Sequence, residues 1–210
     1  MSNAIDTNDN HAVLILATND YPKELYSFVA DDMASTLLGV KIVERKNGVM
    51  AMIEWAIPTL VIAYLLKPFF ESFLQEAGKD AYNTTKATIK KLVKNNLPME
   101  TVKITASSSP EKLSERYDQS GAISLKVAVH SKLTFTVLFN KDMGAEELDV
   151  MLDGLFTSIE QMYIEIQKEF PEEAEENIVT KNELYLIANL ENKSWEILTT
   201  NQMLNKYRKK

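Results

Sequence analysis

VMAMIEWAIPTLVIAYLL, Val49 to Leu66, is eighteen residues long and carries a single charge, Glu54. A helix that crosses a bilayer needs about 20 consecutive apolar residues. Here Glu54, Pro58 and Thr59 interrupt the run, and Lys67 and Glu71 stop its extension. A spanning segment is therefore a weak reading. An interfacial helix fits better among the membrane readings: Trp55, Tyr64, Phe69, Phe70 and Phe73 would be aromatic anchors, with Lys86, Lys90 and Lys94 facing anionic head groups. The preferred reading shelters the stretch against other polypeptide, with the same five aromatic residues in a core or at an oligomer interface.

From Ile62 onward the spacing is helical. Ile62, Leu65, Leu66, Phe69, Phe70, Phe73, Leu74 and Ala77 lie on one stripe, opposite Lys67, Glu71 and Gln75. Pro58 marks a helix start or a kink, and Pro68 a second kink. Gly78 breaks the pattern before a lysine-rich helix whose Tyr82, Ile89, Leu92 and Val93 face inward, ending at Leu97-Pro98. Residues 49–97 are thus expected as a helical layer or insertion.

Upstream, AVLILA (Ala12–Ala17) reads as a buried strand. Asp20 is placed to cap a helix with Pro22 in its first turn, Leu25, Phe28, Val29, Met33 and Leu37 on its inner face, and Gly39 at its end. Val40 to Val43 follows as a second strand. This strand–helix–strand order allows a parallel pair with the helix as crossover. Downstream, Thr101 to Ala106 alternates as a strand, and Ser107 to Gly121 reads as a mobile loop. Ile123–Val129 and Leu133–Phe139 form a hairpin. Leu148 to Phe170 keeps an i, i+3, i+4 rhythm for six turns and ends at Pro171. Leu184–Leu190 and Trp195–Thr199 make a last hairpin. The expected class is α+β: a mixed sheet of about five to seven strands, with a helical layer and one long amphipathic helix. Residues 1–11 are expected as a disordered N-terminus or the remnant of a tag, 12–200 as one domain, and 201–210 as a basic tail.

The 210 residues include 23 Lys+Arg and 30 Asp+Glu, a net charge of −7. Sequence-specific nucleic-acid binding is not expected of so acidic a chain. The charge is uneven: Lys79 to Lys94 holds five lysines and one acid, and Glu160 to Glu183 holds eight acids and two lysines. Lys79, Lys86, Lys90 and Lys94 share a narrow band of helix surface, a candidate contact for an anionic partner or lipid. There is no cysteine, which excludes disulfides, thiolate metal sites and a cysteine nucleophile and fits a reducing, cytoplasmic setting. No signal peptide is visible. His11, in a frayed terminus, and His130, at a hairpin tip, have no ligand-spaced partners, so no metal site is expected. No nucleotide-binding, zinc-protease or hydrolase motif occurs, and no cofactor or catalytic residue is assigned.

One small-ligand candidate remains, at the end of the first strand. Ligands of parallel sheets sit beyond the carboxyl ends of strands, which is where Thr18, Asn19 and Asp20 fall. The expected function is a non-enzymatic protein-interaction or oligomerisation domain, with a second copy or another protein as partner. A peripheral membrane protein is the first alternative. An enzyme or small-ligand binder using Thr18–Asp20 is the second.

Overall fold

Ala12 to Ala17 does form a strand, β1 (His11–Thr18), and the rest of the sheet is built out from it. The computed structural model describes residues 11–46, 59–99, 117–130, 133–169 and 182–207. The other strands are β2 (Gly39–Arg45), β3 (Val61–Leu65), β4 (Gln119–His130), β5 (Leu133–Asn140), β6 (Asn182–Asn189) and β7 (Ser194–Thr199). They form one seven-stranded mixed sheet in the order β2-β1-β3-β4-β5-β6-β7. Parallel pairs (β1–β2, β3–β4, β5–β6) alternate with antiparallel steps (β1–β3, β4–β5, β6–β7). A parallel pair cannot be closed by a tight turn, so its connection must carry a crossover. Helix α1 (Phe28–Met33) lies between β1 and β2. Helices α2 (Lys67–Leu74) and α3 (Lys79–Asn96) lie between β3 and β4, and α4 (Ala145–Glu169) between β5 and β6. The α+β class with a mixed sheet, helical layer and long amphipathic helix is what the chain adopts.

The deciding stretch turns out differently from its expected helix. Residues 49–58, Trp55 among them, lie outside the described residues. Val61 to Leu65, of which Ile62 and Leu65 were expected on a helical stripe, is strand β3, paired on both sides. Three rungs cross β1, β3 and β4: Val13–Leu65–Val127, Ile15–Ala63–Leu125 and Ala17–Val61–Ile123, and all nine side chains are 0% exposed. A strand covered on both faces shows no alternation. Its short apolar run therefore reads like a helix by periodicity alone. The helix that does follow, α2, is eight residues long, and Pro68 sits in its first turn, where no backbone hydrogen bond is lost, rather than at a kink. Between α2 and α3 the chain passes so close to the Ser72 carbonyl that a Cβ would collide with it, which is why Gly78 stands there.

Other expectations also shift. The single helix expected from Asp20 to Gly39 is a 3₁₀ turn (Lys23–Leu25) and the short α1, and Gly39 opens β2. The Leu25 carbonyl, which would continue such a helix, instead accepts from Asn96 Nδ2 at 2.9 Å. His11 is not frayed but begins β1. Thr101 to Ala106 lies outside the described residues, as does most of the expected loop, while Gln119 to Gly121 belongs to β4. The expected basic tail is mostly helix α5 (Thr200–Tyr207). Its start is fixed by a capping box: Gln202 N–H donates to Thr199 Oγ1 at 3.3 Å, and Thr199 N–H donates back to Gln202 Oε1 at 2.8 Å.

Helices α1 to α4 cover one face of the sheet in a continuous core. Phe69 and Phe70 are 1% and 0% exposed within it. Phe70 stacks on Tyr163 of α4 at 4.8 Å between centroids, and Phe69 meets Tyr82 of α3 at 5.0 Å. Burying an aromatic side chain of this kind stabilises the fold by roughly 2–3 kcal/mol. Helix α5 lies on the other face. There Met203 and Tyr207 pack with Tyr117, Leu138, Tyr185, Ile187 and Leu198. The Tyr207 hydroxyl donates to Asp118 Oδ1 at 2.9 Å, and Asn140 Nδ2 donates to the same carboxylate's Oδ2 at 2.9 Å.

Candidate functional site

The first two strands end side by side. Thr18 closes β1 and Arg45 closes β2, and the two are partners in the parallel register, so their side chains leave the same face. Arg45 donates from Nη2 to the Thr59 carbonyl at 2.6 Å. Thr59 precedes β3, on the far side of β1, so the guanidinium is drawn across the end of β1. Burial lowers the Arg45 pKa, and the nearby Tyr64 hydroxyl offsets this in part. Among the described residues no carboxylate pairs with it. The Thr18 hydroxyl is buried and has no hydrogen-bond partner, while Thr59 and Ser124 satisfy each other's hydroxyls at 2.8 Å. Asn19 and Asp20 follow on the exposed turn, and Asp20 caps no helix, because Pro22 and Ser27 occupy the caps. The expected Thr18, Asn19 and Asp20 are therefore at a strand end as read. The charged group that joins them, Arg45, was missed. Its signal was present: it is one of only three arginines in the chain, two residues past the expected second strand.

The lysine band lies on α3, facing α4 rather than a partner. Lys94 reaches Asp149 at 2.6 Å, Lys90 reaches Asp153 at 3.0 Å and Asp149 at 3.3 Å, and Lys86 lies 4.0 Å from Glu160. Lys91, outside the band, pairs with Asp32 of α1 at 2.8 Å. Lys94 above all, with Lys90 adding to it, holds the Asp149 carboxyl below its usual range against the opposing effect of burial. Burial pulls the Lys90 pKa down, but Asp153 and Asp149 outweigh it and leave it raised. Three of the four band lysines are thus matched by acids of the same chain, and only Lys79 stands apart, exposed at the helix start. The shallow groove between the helices, lined by Ala87, Lys90, Lys91, Lys94, Asn95 and Asp149, encloses about 390 Å³ and carries this same neutralised set.

The expected aromatic interface divides in the same way. Phe69 and Phe70 are inside the core of their own chain and cannot meet a partner. Phe73 is half-buried between Tyr82 and Tyr163, and Tyr64 is half-buried on β3. Among the described residues, no helix is long and apolar enough to cross a membrane, and no cluster of His, Asp or Glu is arranged to hold a metal.

What the chain leaves open is the edge of its sheet. Among the described residues, β7 pairs with β6 alone. Ile197, on the face that carries α4, is 51% exposed. Trp195 joins this edge to α4 by donating Nε1–H to the Met151 carbonyl at 2.9 Å. Val150, Gly154 and Ser158 follow one another at four-residue intervals along α4, all exposed. A Cβ added at Gly154 would meet nothing within 4 Å. The hydroxyls of Thr157 and Ser158 are turned back onto the carbonyls of Asp153 and Gly154 at 3.0 and 2.9 Å. Periodicity identifies such positions as the polar side of a helix, but it cannot show that a strand edge runs beside them.

No protein-family model, curated protein or solved structure matches the chain.

Proposed function

We propose that this protein is a binding domain that associates with a second copy of itself through the β7 edge and the adjoining flank of α4. The observation that carries this is the contrast between the two ends of the sheet. An edge strand presents unpaired backbone donors and acceptors, and proteins that must stay apart defend it with charges. β2 carries Lys41, Glu44 and Arg45 among its seven residues, with Glu44 bridged to Lys23 at 2.7 Å. β7 carries only Glu196, and Lys206 neutralises it at 2.6 Å.

The choice of partner follows from charge. A two-fold contact brings each surface against itself, so any net charge on it is repelled. Val150, Gly154, Thr157, Ser158, Gln161 and Ile197 are all uncharged. The Thr157 and Ser158 hydroxyls are already bonded, so covering them strands no polar group. A strongly charged partner finds no complement here. The size of the patch sets the strength. Six strand residues extend about 20 Å, and the helix from Val150 to Gln161 about 17 Å. A patch of about 400 Å² per copy falls below the roughly 800 Å² of a standard interface. A contact this small is expected to be reversible rather than obligate.

Sedimentation velocity over a concentration series tests this. The expected result is a monomer–dimer equilibrium that the substitution Ile197→Lys returns to monomer. A strict monomer at high micromolar concentration, or a dimer that Ile197→Lys leaves intact, would contradict it.

A further inference from the structure

The carboxyl end of β1 and β2 supports a second reading, independent of self-association. We infer that Arg45, Thr18 and Asn19 form a binding site for a small oxyanion, a phosphate or carboxylate group. Three observations meet there. Arg45 is a half-buried guanidinium with one fixed contact among the described residues, the 2.6 Å hydrogen bond from Nη2 to the Thr59 carbonyl. A guanidinium carries five N–H donors in a planar fork, and the fork matches two oxygens of an anion. A carbonyl satisfies one donor but no charge, and a partly desolvated cation is costly until an opposite charge meets it. The second observation is Thr18. It is 5% exposed, its hydroxyl lacks any partner, and the register places it beside Arg45 on one face. A lone buried hydroxyl costs on the order of 1–3 kcal/mol unless something accepts its hydrogen. The third is position. Beyond the carboxyl ends of parallel strands, backbone and side-chain donors converge where no further strand competes for them, and ligands of open sheets bind there.

The donor set also selects the class of ligand. Arg45 offers a charge and a fork, Thr18 one hydroxyl, and Asn19 an exposed side-chain amide. None of these is a metal ligand of useful charge, whereas all three donate to oxygen. Thr59 and Ser124 satisfy each other and so do not compete for the anion. Asp20 is the one carboxylate in the turn. It is exposed, so water and salt screen it.

The test is NMR of the arginine Nε–H signals of the full chain, titrated with inorganic phosphate and, separately, with succinate. Ionic strength is held constant with sodium chloride. The expected result is a saturable shift of the Arg45 signal with at least one of the two. Saturation by phosphate assigns a phosphate group, and saturation by succinate a carboxylate. Arg45→Gln should abolish the binding. Because Arg45 also anchors Thr59, the decisive variant is Thr18→Val, which keeps the shape and removes the unpartnered hydroxyl. It should weaken binding several-fold while its melting temperature stays level or rises. A shift that never saturates with either anion, or a Thr18→Val protein that binds as tightly as the parent, would overturn the inference. Neither outcome bears on the dimer, which is read by sedimentation.

Discussion

At the scale of single residues, buried polar groups separate structural roles from open ones. Asn96 is 0% exposed and donates from Nδ2 to the carbonyls of Leu25 and Leu92 at 2.9 and 2.8 Å. It replaces the helix continuation that the stretch after Pro22 lacks. Asn96→Ala should therefore destabilise the chain by about 1–3 kcal/mol, since the Leu25 carbonyl loses its partner, and urea melts measure it. Buried tyrosines set an alkaline limit, Tyr21 and Tyr185 among them. Burial pushes the pKa of Tyr21 and of Tyr185 up from 10.0 to about 12. The folded value lies above the unfolded one, so the stabilisation is complete below about pH 10 and disappears as pH rises toward about 12. Denaturant midpoints between those limits should fall steadily, and a Tyr21→Phe, Tyr185→Phe double variant should fall less. Residue-level reading of the sequence located the Thr18 turn but passed over Arg45. The register that sets them side by side joins residues 27 positions apart and is a property of the sheet.

At the scale of elements, the sequence is clearest where one face of an element is wet. α4 alternates buried and exposed positions over six turns, and β4 alternates along its second half, so both were legible; β5 was legible from the apolar–polar alternation of its sequence, Leu133 to Val137. β3 was not, because both its faces are covered and five apolar residues fit a helix equally well. α5 was missed although its capping box, Thr199 through Gln202, is local and readable; its four terminal basic residues suggested a tail instead. Within α4, Gly154 stands in mid-helix with open space around it. Gly154→Ala should therefore stabilise the isolated monomer by about 0.5–1 kcal/mol, measured by urea melts at low concentration. Gly154→Arg keeps most of that gain but blocks close approach, and should weaken dimer formation. The α3–α4 ladder behaves differently. The Asp149 pKa is depressed in the folded chain, so its contribution is present at neutral pH and is lost as pH falls through the carboxylate range. It should also fade with added salt.

At the scale of the whole molecule, the account turns on where apolar and charged groups are satisfied. The aromatic side chains of α2 and three lysines of the basic band find their partners inside the chain. That takes Phe69, Phe70 and those three lysines away from a membrane surface, while Trp55 lies outside the described residues. Among the described residues the sheet keeps two edges, β2 with three charged residues and β7 with one, which Lys206 neutralises. Amide hydrogen exchange at two protein concentrations tests the central claim most directly, because it reads each edge separately. If β7 is the contact, exchange across Ser194–Thr199 slows as concentration rises, while exchange across Gly39–Arg45 of β2 stays constant. Exchange at β7 that ignores concentration, or protection that rises at β2 instead, would contradict it.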